Sequence, residues 1–155
     1  MRRRRAEKRE IQPDFKYNNK VVAKFINIIM LHGKKTKAEK IVYGALDIMK
    51  SKLHVDGLEA LYKALDNVRP QVIVRPRRIG GATYQIPIEV PKDKGFVIAM
   101  RWIRDIARSK KGKPMQVKLA EELINAYKGE GAAVKKRDDT HKMAEANKAF
   151  AHFRW

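Results

Sequence analysis

Arg75, Arg77 and Arg78 crowd into one short stretch, VIVRPRRIGGATYQIPIEV, residues 72–90, with Tyr84 close behind them. Guanidinium groups present forks of donors that match phosphate oxygens, and a tyrosine ring offers a face to an unpaired base. The chemistry on offer is polyanion binding. Catalytic constellations do not assemble. His32, His54, His141 and His152 fall in separate segments without ligand spacing and read as packed or solvent-exposed. Glu121 and Glu122 point about 100° apart on a helix, so they cannot flank one scissile bond. GEGAAV, residues 129–134, resembles part of a dinucleotide loop but follows a helical pattern and lacks the third glycine. The chain has no cysteine, which excludes disulfides, thiolate metal sites and cysteine nucleophiles. Nothing implies an enzyme, a metal, a cofactor or a small-molecule substrate.

Charge points the same way. The 155 residues carry 36 Lys+Arg against 17 Asp+Glu, a formal net charge of +19. A domain this basic repels itself and needs a polyanion, so nucleic acid leads. A membrane surface is the weaker alternative, because no helix sets a lysine stripe opposite a large apolar face. The longest apolar run, VVAKFINIIML, is broken by Lys24 and Asn27, and MRRRRAEKRE lacks the apolar core of a signal peptide. The cytoplasm is the expected compartment.

The elements that must position these cations are mostly helical. Residues 1–16 read as a basic arm, disordered until bound, with Arg2, Arg3, Arg4, Arg5, Lys8 and Arg9 among few apolar positions. Residues 17–155 read as one domain. Val22, Phe25, Ile26 and Ile29 form a first helical stripe, ending at Gly33. Ala38, Ile41, Val42, Ala45, Ile48 and Met49 form a second; Leu58, Leu61, Leu65 and Val68 form a third, stopped by Pro70. Phe96, Met100, Ile103 and Ala107 predict a fourth helix, with Trp102 in the core. Val117, Ala120, Leu123, Ile124 and Tyr127 predict a fifth, closed by Gly129. A sixth, capped by Asp138 or Asp139, runs through Met143, Ala146 and Phe150, with Lys148 and Arg154 off its stripe. Loops 108–114 and 128–139 hold further cations: Lys110, Lys111 and Lys113 in one, Lys135, Lys136 and Arg137 in the other. The expected fold is mainly α, a single-domain bundle of about six helices with one protruding two-stranded hairpin between the third and fourth.

For the hairpin, a two-residue primed turn at Gly80-Gly81 sets Ile73 opposite Ile88, Val72 opposite Glu89, Arg77 opposite Tyr84 and Arg78 opposite Thr83. Pro76 and Pro87 each remove a ladder donor and discourage a third strand. An isolated hairpin is marginal in water, so a protruding one has something to hold. A DNA-architectural protein with basic ribbon arms is the alternative reading. Against it, the tip carries Ile79 and Ala82 beside glycines, and no dimerising surface is evident.

NVRPQVIVRPRRIGGATYQIPIEV (67–90) resembles the signature of the small-subunit ribosomal protein seven family. FINIIMLHGKKTKAEKIVYGAL (25–46), GEGAAVKKRDDTHKMAEANKAFAHFRW (129–155) and the opening RRRRAEKREIQPD resemble its bacterial form, so the likeness spans essentially the whole chain. A small residue that often separates the initiator Met from the arginine run is absent. The resemblance implies a helical bundle with a β-ribbon. It also implies a protein that binds the 3′ major domain of 16S ribosomal RNA and nucleates assembly of the small-subunit head. Such a protein lies at the subunit interface, near the decoding centre and the tRNA exit site, beside small-subunit ribosomal proteins nine and eleven. The family's RNA-contacting parts correspond to Arg2–Arg5, Arg9, Lys34, Lys35, Arg75, Arg77 and Arg78. The parts that approach exit-site tRNA and mRNA correspond to the surroundings of Gly80-Gly81 and to Lys135–Trp155.

Overall fold

The computed structural model describes residues 4, 6, 7 and 9–153. Among these, six α-helices and one hairpin follow in order: α1 (Lys20–Ile29), α2 (Lys35–Leu53), α3 (Gly57–Val68), β1 (Val72–Ile79), β2 (Ala82–Glu89), α4 (Lys92–Ser109), α5 (Met115–Tyr127) and α6 (Ala132–Ala146). A 3₁₀ turn, Lys148–Phe153, follows α6. The hairpin lies between the third and fourth helices, as the sequence predicts.

The predicted stripes of the first five helices supply the core. Val22, Phe25, Ile26, Val42, Met49, Leu61, Leu65, Met100, Ile103 and Leu123 are all buried. α5 lies against α2, α3 and α4, while α1 packs on α2 and α4. Trp102 is half-buried and packs against this core. Burying a large aliphatic side chain contributes about 1.5–3 kcal/mol, so the shared stripes hold the helices together.

The chain before α1 is fastened by Asp14. Its carboxylate accepts from the backbone N–H groups of Lys16, Tyr17 and Asn19 and from the Tyr43 hydroxyl on α2. Asn19 caps α1 by accepting from Val21 and Val22 N–H. The far end of α1 is closed from α4, where Arg104 and Arg108 donate to the carbonyls of Ile28 and Ile29. These satisfy helix-end groups that have no partner within the helix.

The hairpin register is the predicted one, with Val72 opposite Glu89, Ile73 opposite Ile88, Arg77 opposite Tyr84 and Arg78 opposite Thr83. Gly80 and Gly81 have φ of 56° and 88°, the positive values that a primed turn requires. Ile86 is fully buried, and the ribbon base packs against α6.

α6 departs from the sequence reading. It starts at Ala132, so Asp138 and Asp139 lie inside the helix and cap nothing, and residues 132–139 are helix rather than loop. The reason lies on another element: Glu122 of α5 accepts from Ala133 N–H at 3.0 Å, serving the new helix end. Gly131, at φ 93°, makes the corner, and Asn125 crowds the space a side chain there would occupy. The buried face of α6 is Ala133, Val134, Thr140 and Ala144. The expected stripe is out of phase with this face. Met143 is 49% exposed, and Phe150 belongs to the 3₁₀ turn.

Candidate nucleic-acid interface

The ribbon carries its cations beyond the helical body. Arg75 and Arg78 are exposed, and their side chains engage no partner among the described residues. Arg77 is half-buried and engaged within the molecule. Tyr84 sits differently from a free stacking platform. Its ring lies 4.9 Å from that of Phe150 and 6.1 Å from that of Phe153, tilted against both, so the 3₁₀ turn clasps the ribbon. His152 adds a ring 4.0 Å from Phe153. At the ribbon's base, His141 accepts from Gln71 N–H at 3.0 Å, tying α6 to the start of β1. Burial, with Arg137 beside it, lowers the His141 pKa from its ordinary 6.5 and favours the neutral ring that can accept this bond.

A second group of exposed cations sits between α1 and α2. Lys34 and Lys35 are exposed without side-chain partners among the described residues. They stand at the start of α2, which has no side-chain cap and no acidic residue in its first turn. Helix starts ordinarily favour acidic side chains, and an uncapped start flanked by lysine is instead open to a phosphate. The start of α5 has the same character.

The loop between α4 and α5 divides residue by residue. Lys111 is exposed and unengaged among the described residues. Lys110 reaches back to Glu122 at 2.7 Å, and Glu122 is only 1% exposed. Lys113 pairs with Glu121, a hydrogen bond that holds the Glu121 pKa below its usual value. On α6, Lys135 is exposed, whereas Lys136 lies over the Trp102 ring at 5.6 Å. Arg137 donates to the Asn67 carbonyl and pairs with Asp138 at 2.6 Å. Lys148 stands 3.6 Å from Glu145 in a solvent-exposed pair. Arg4 and Arg9 are exposed. Arg2, Arg3, Arg5 and Arg154 lie outside the described residues.

No group of acidic, histidine or cysteine side chains among the described residues could hold a metal ion, and no described helix is long and apolar enough to cross a membrane. The model of the family described as ribosomal protein S7p/S5e matches residues 1–148. The chain belongs to this family of small-subunit ribosomal proteins. Its members are structural, non-enzymatic components of the ribosome. The chain is similar to the small ribosomal subunit protein uS7 of Fervidobacterium nodosum, with 63% identity over the full length of both. The corresponding proteins of Thermotoga neapolitana and Pseudothermotoga lettingae are 59% and 56% identical, again over the full length of both chains.

Within this family member, sequence reasoning placed the cations but not their internal partners. The structural roles of Glu122, Arg104 and Arg108 leave no local mark in the sequence, because their partners lie on other elements. Asp14 is of a type that favours local turns, and its carboxylate closes one by accepting from Lys16 and Tyr17 N–H. Nothing in the sequence distinguishes Lys110 from Lys111.

Proposed function

We propose that the chain binds directly to the 3′ major domain of 16S ribosomal RNA and nucleates assembly of the small-subunit head. Its setting is the bacterial cytoplasm, at the subunit interface near the decoding centre and the tRNA exit site. Small-subunit ribosomal proteins nine and eleven are its neighbours. The ribbon tip and the segment from Lys135 onward meet exit-site tRNA and mRNA. Within residues 1–16 the arginines up to Arg9 act as an arm that adds phosphate contacts to those of the 17–155 domain, while Asp14 and Lys16 fasten its end to α2.

The observation that carries this reading is the placement of exposed, unengaged cations on separate elements of one packed bundle. Lys34 and Lys35 lie between α1 and α2, Arg75 and Arg78 on the ribbon, and Lys111 beyond α4. A-form RNA hides its base edges in a deep groove, so proteins grip its phosphates, 2′-hydroxyls and junctions. A bundle with fixed cations facing several ways holds converging RNA helices at set angles. Its work is geometric.

Two measurements test this. If about ten phosphates are neutralised, the log–log salt slope for binding should be about −7 to −9, and one shallower than about −3 contradicts the reading. Replacing residues 76–85 with a short neutral turn should leave the bundle folded and weaken RNA binding by about 1–3 kcal/mol. Subunits reconstituted with that variant should form a head but retain exit-site tRNA and reading frame poorly. Normal behaviour in all three assays would reduce the ribbon to an ordinary surface loop.

A further inference from the structure

Phe15 is the one large apolar side chain among the described residues that is fully exposed, yet both its neighbours are fastened to α2. Before it, Asp14 is buried and accepts from the Tyr43 hydroxyl at 3.1 Å. After it, Lys16 is held by Asp47 at 3.0 Å. The turn between them is closed by the Asp14 carboxylate on Lys16 and Tyr17 N–H. Phe15 is therefore held outward on a turn pinned from both sides, and does not simply trail from a loose segment. Beside it opens a concavity of about 510 Å³, lined by Arg9, Gln12, Asn27, Lys35 and Glu39 among others. That volume accommodates a nucleobase with room for its sugar. Asn27 and Gln12 offer amide donors and acceptors, and Arg9 and Lys35 offer cations at the same rim. Glu10 and Glu39 also line it, so the site is not a bare phosphate trap. Carboxylates accept hydrogen bonds from base amino and imino groups but repel phosphates. An exposed ring, amide edges and mixed charge together suit a base more than a backbone.

We propose that Phe15 is a stacking platform for one unpaired base of the ribosomal RNA, whose edge faces the Asn27 and Gln12 side of the concavity and whose phosphate lies toward Arg9 and Lys35. This rests on the RNA-binding reading above and adds a contact of different chemistry to it. Aromatic rings accept any base face, so the ring supplies affinity and the amide edge supplies preference.

The test uses the full-length protein and the transcribed 3′ domain of small-subunit ribosomal RNA. Because its ring touches nothing that holds the fold, Phe15→Ala should leave the melting temperature unchanged. It should weaken binding about 5- to 150-fold, the range for loss of one stacked base. The salt slope should stay that of the parent, since no charge is removed. Phe15→Trp should restore affinity, and Phe15→Leu should not. A benzophenone amino acid at position 15 should cross-link to a single-stranded nucleotide in the reconstituted particle. Unchanged affinity for Phe15→Ala, full rescue by Leu, or a cross-link only to protein each overturns the proposal. If the parent protein itself fails to bind this RNA, the RNA-binding reading fails first. If the parent binds and the variants match it, only the Phe15 platform fails.

Discussion

Lys110 and Lys111 are adjacent and identical in type, yet the structure puts them to different uses. Lys110 pairs with buried Glu122, which in turn holds the start of α6. Lys111 faces solvent with no described partner. The same division separates Arg137, which binds the end of α3, from Arg75 and Arg78 on the ribbon. A strongly positive protein therefore holds two populations of cations. One is part of the packing, and the other is available to a polyanion. Net charge alone overstates the second.

The sharpest way to break this division is through Glu122. Glu122→Ala strands the Ala133 amide and removes the partner of Lys110, so stability should fall by about 2–3 kcal/mol. The Lys110 side chain is one-third exposed and can turn to water, which keeps the loss below that of a fully buried pair. Chemical denaturation measures it. A loss below about 0.5 kcal/mol would mean that the Lys110–Glu122 contact is incidental.

Next in size is Phe150→Ala. Its ring is half-buried against Tyr84, so the cost should be about 1–2 kcal/mol, short of the 3–5 kcal/mol of a fully buried aromatic. Lys148→Ala, which removes only an exposed pair, should cost less than about 0.5 kcal/mol. Equal losses at the two positions would dissolve the clasp as a structural feature.

The pair Lys110→Ala against Lys111→Ala separates stability from binding, because only the first leaves the buried Glu122 carboxylate without its cation. The first should lower the melting temperature. The second should leave it unchanged and reduce the RNA salt slope by about 1. Reversal of the two results would erase the distinction between packed and available lysines.

The smallest effect is one of pH. Folding lowers the His141 pKa below its unfolded value of 6.5, so the unfolded chain binds more protons between the two values. The contribution of neutral His141 is fully present above about pH 6.5 and is lost as pH falls through the lower folded pKa. Arg137 opposes ring protonation and Asp138 favours it, while Glu89, Glu145 and Lys148 line the same groove. His141→Gln should flatten stability against pH in that window, measured by thermal melting. An unchanged pH profile would show that His141 titrates alike in the folded and unfolded chain.

The sequence was most legible where structure is local. The hairpin register followed from Gly80-Gly81, and the first five helices followed from apolar spacing. Most of their carriers, among them Val22, Val42, Leu61, Ile103 and Leu123, are buried, and Ile41, Ile48, Leu58 and Phe96 are half-buried at the edge of the core. α6 was misread because its start is served from α5, and a carboxylate eleven residues upstream leaves no mark at the helix itself. Asp138 and Asp139 were plausible caps on local chemistry alone, and tertiary contact overrode them. The candidate interface was legible as a set of cations but not as a division between engaged and free. Tyr84 shows the same limit, because its partners Phe150 and Phe153 are remote in sequence.

That borrowed start has a consequence for the order in which the chain assembles. A helix needs a costly first turn before it propagates, and here one of the first-turn amides is answered only when α5 is already formed. α6 should therefore nucleate late, and a peptide of residues 132–146 alone should be largely coil. Since the ribbon base packs on α6, the hairpin should dock later than the helices around α5. Amide protons in α6 and at the ribbon base should then exchange through a shared partial opening, at lower free energy than those of α5.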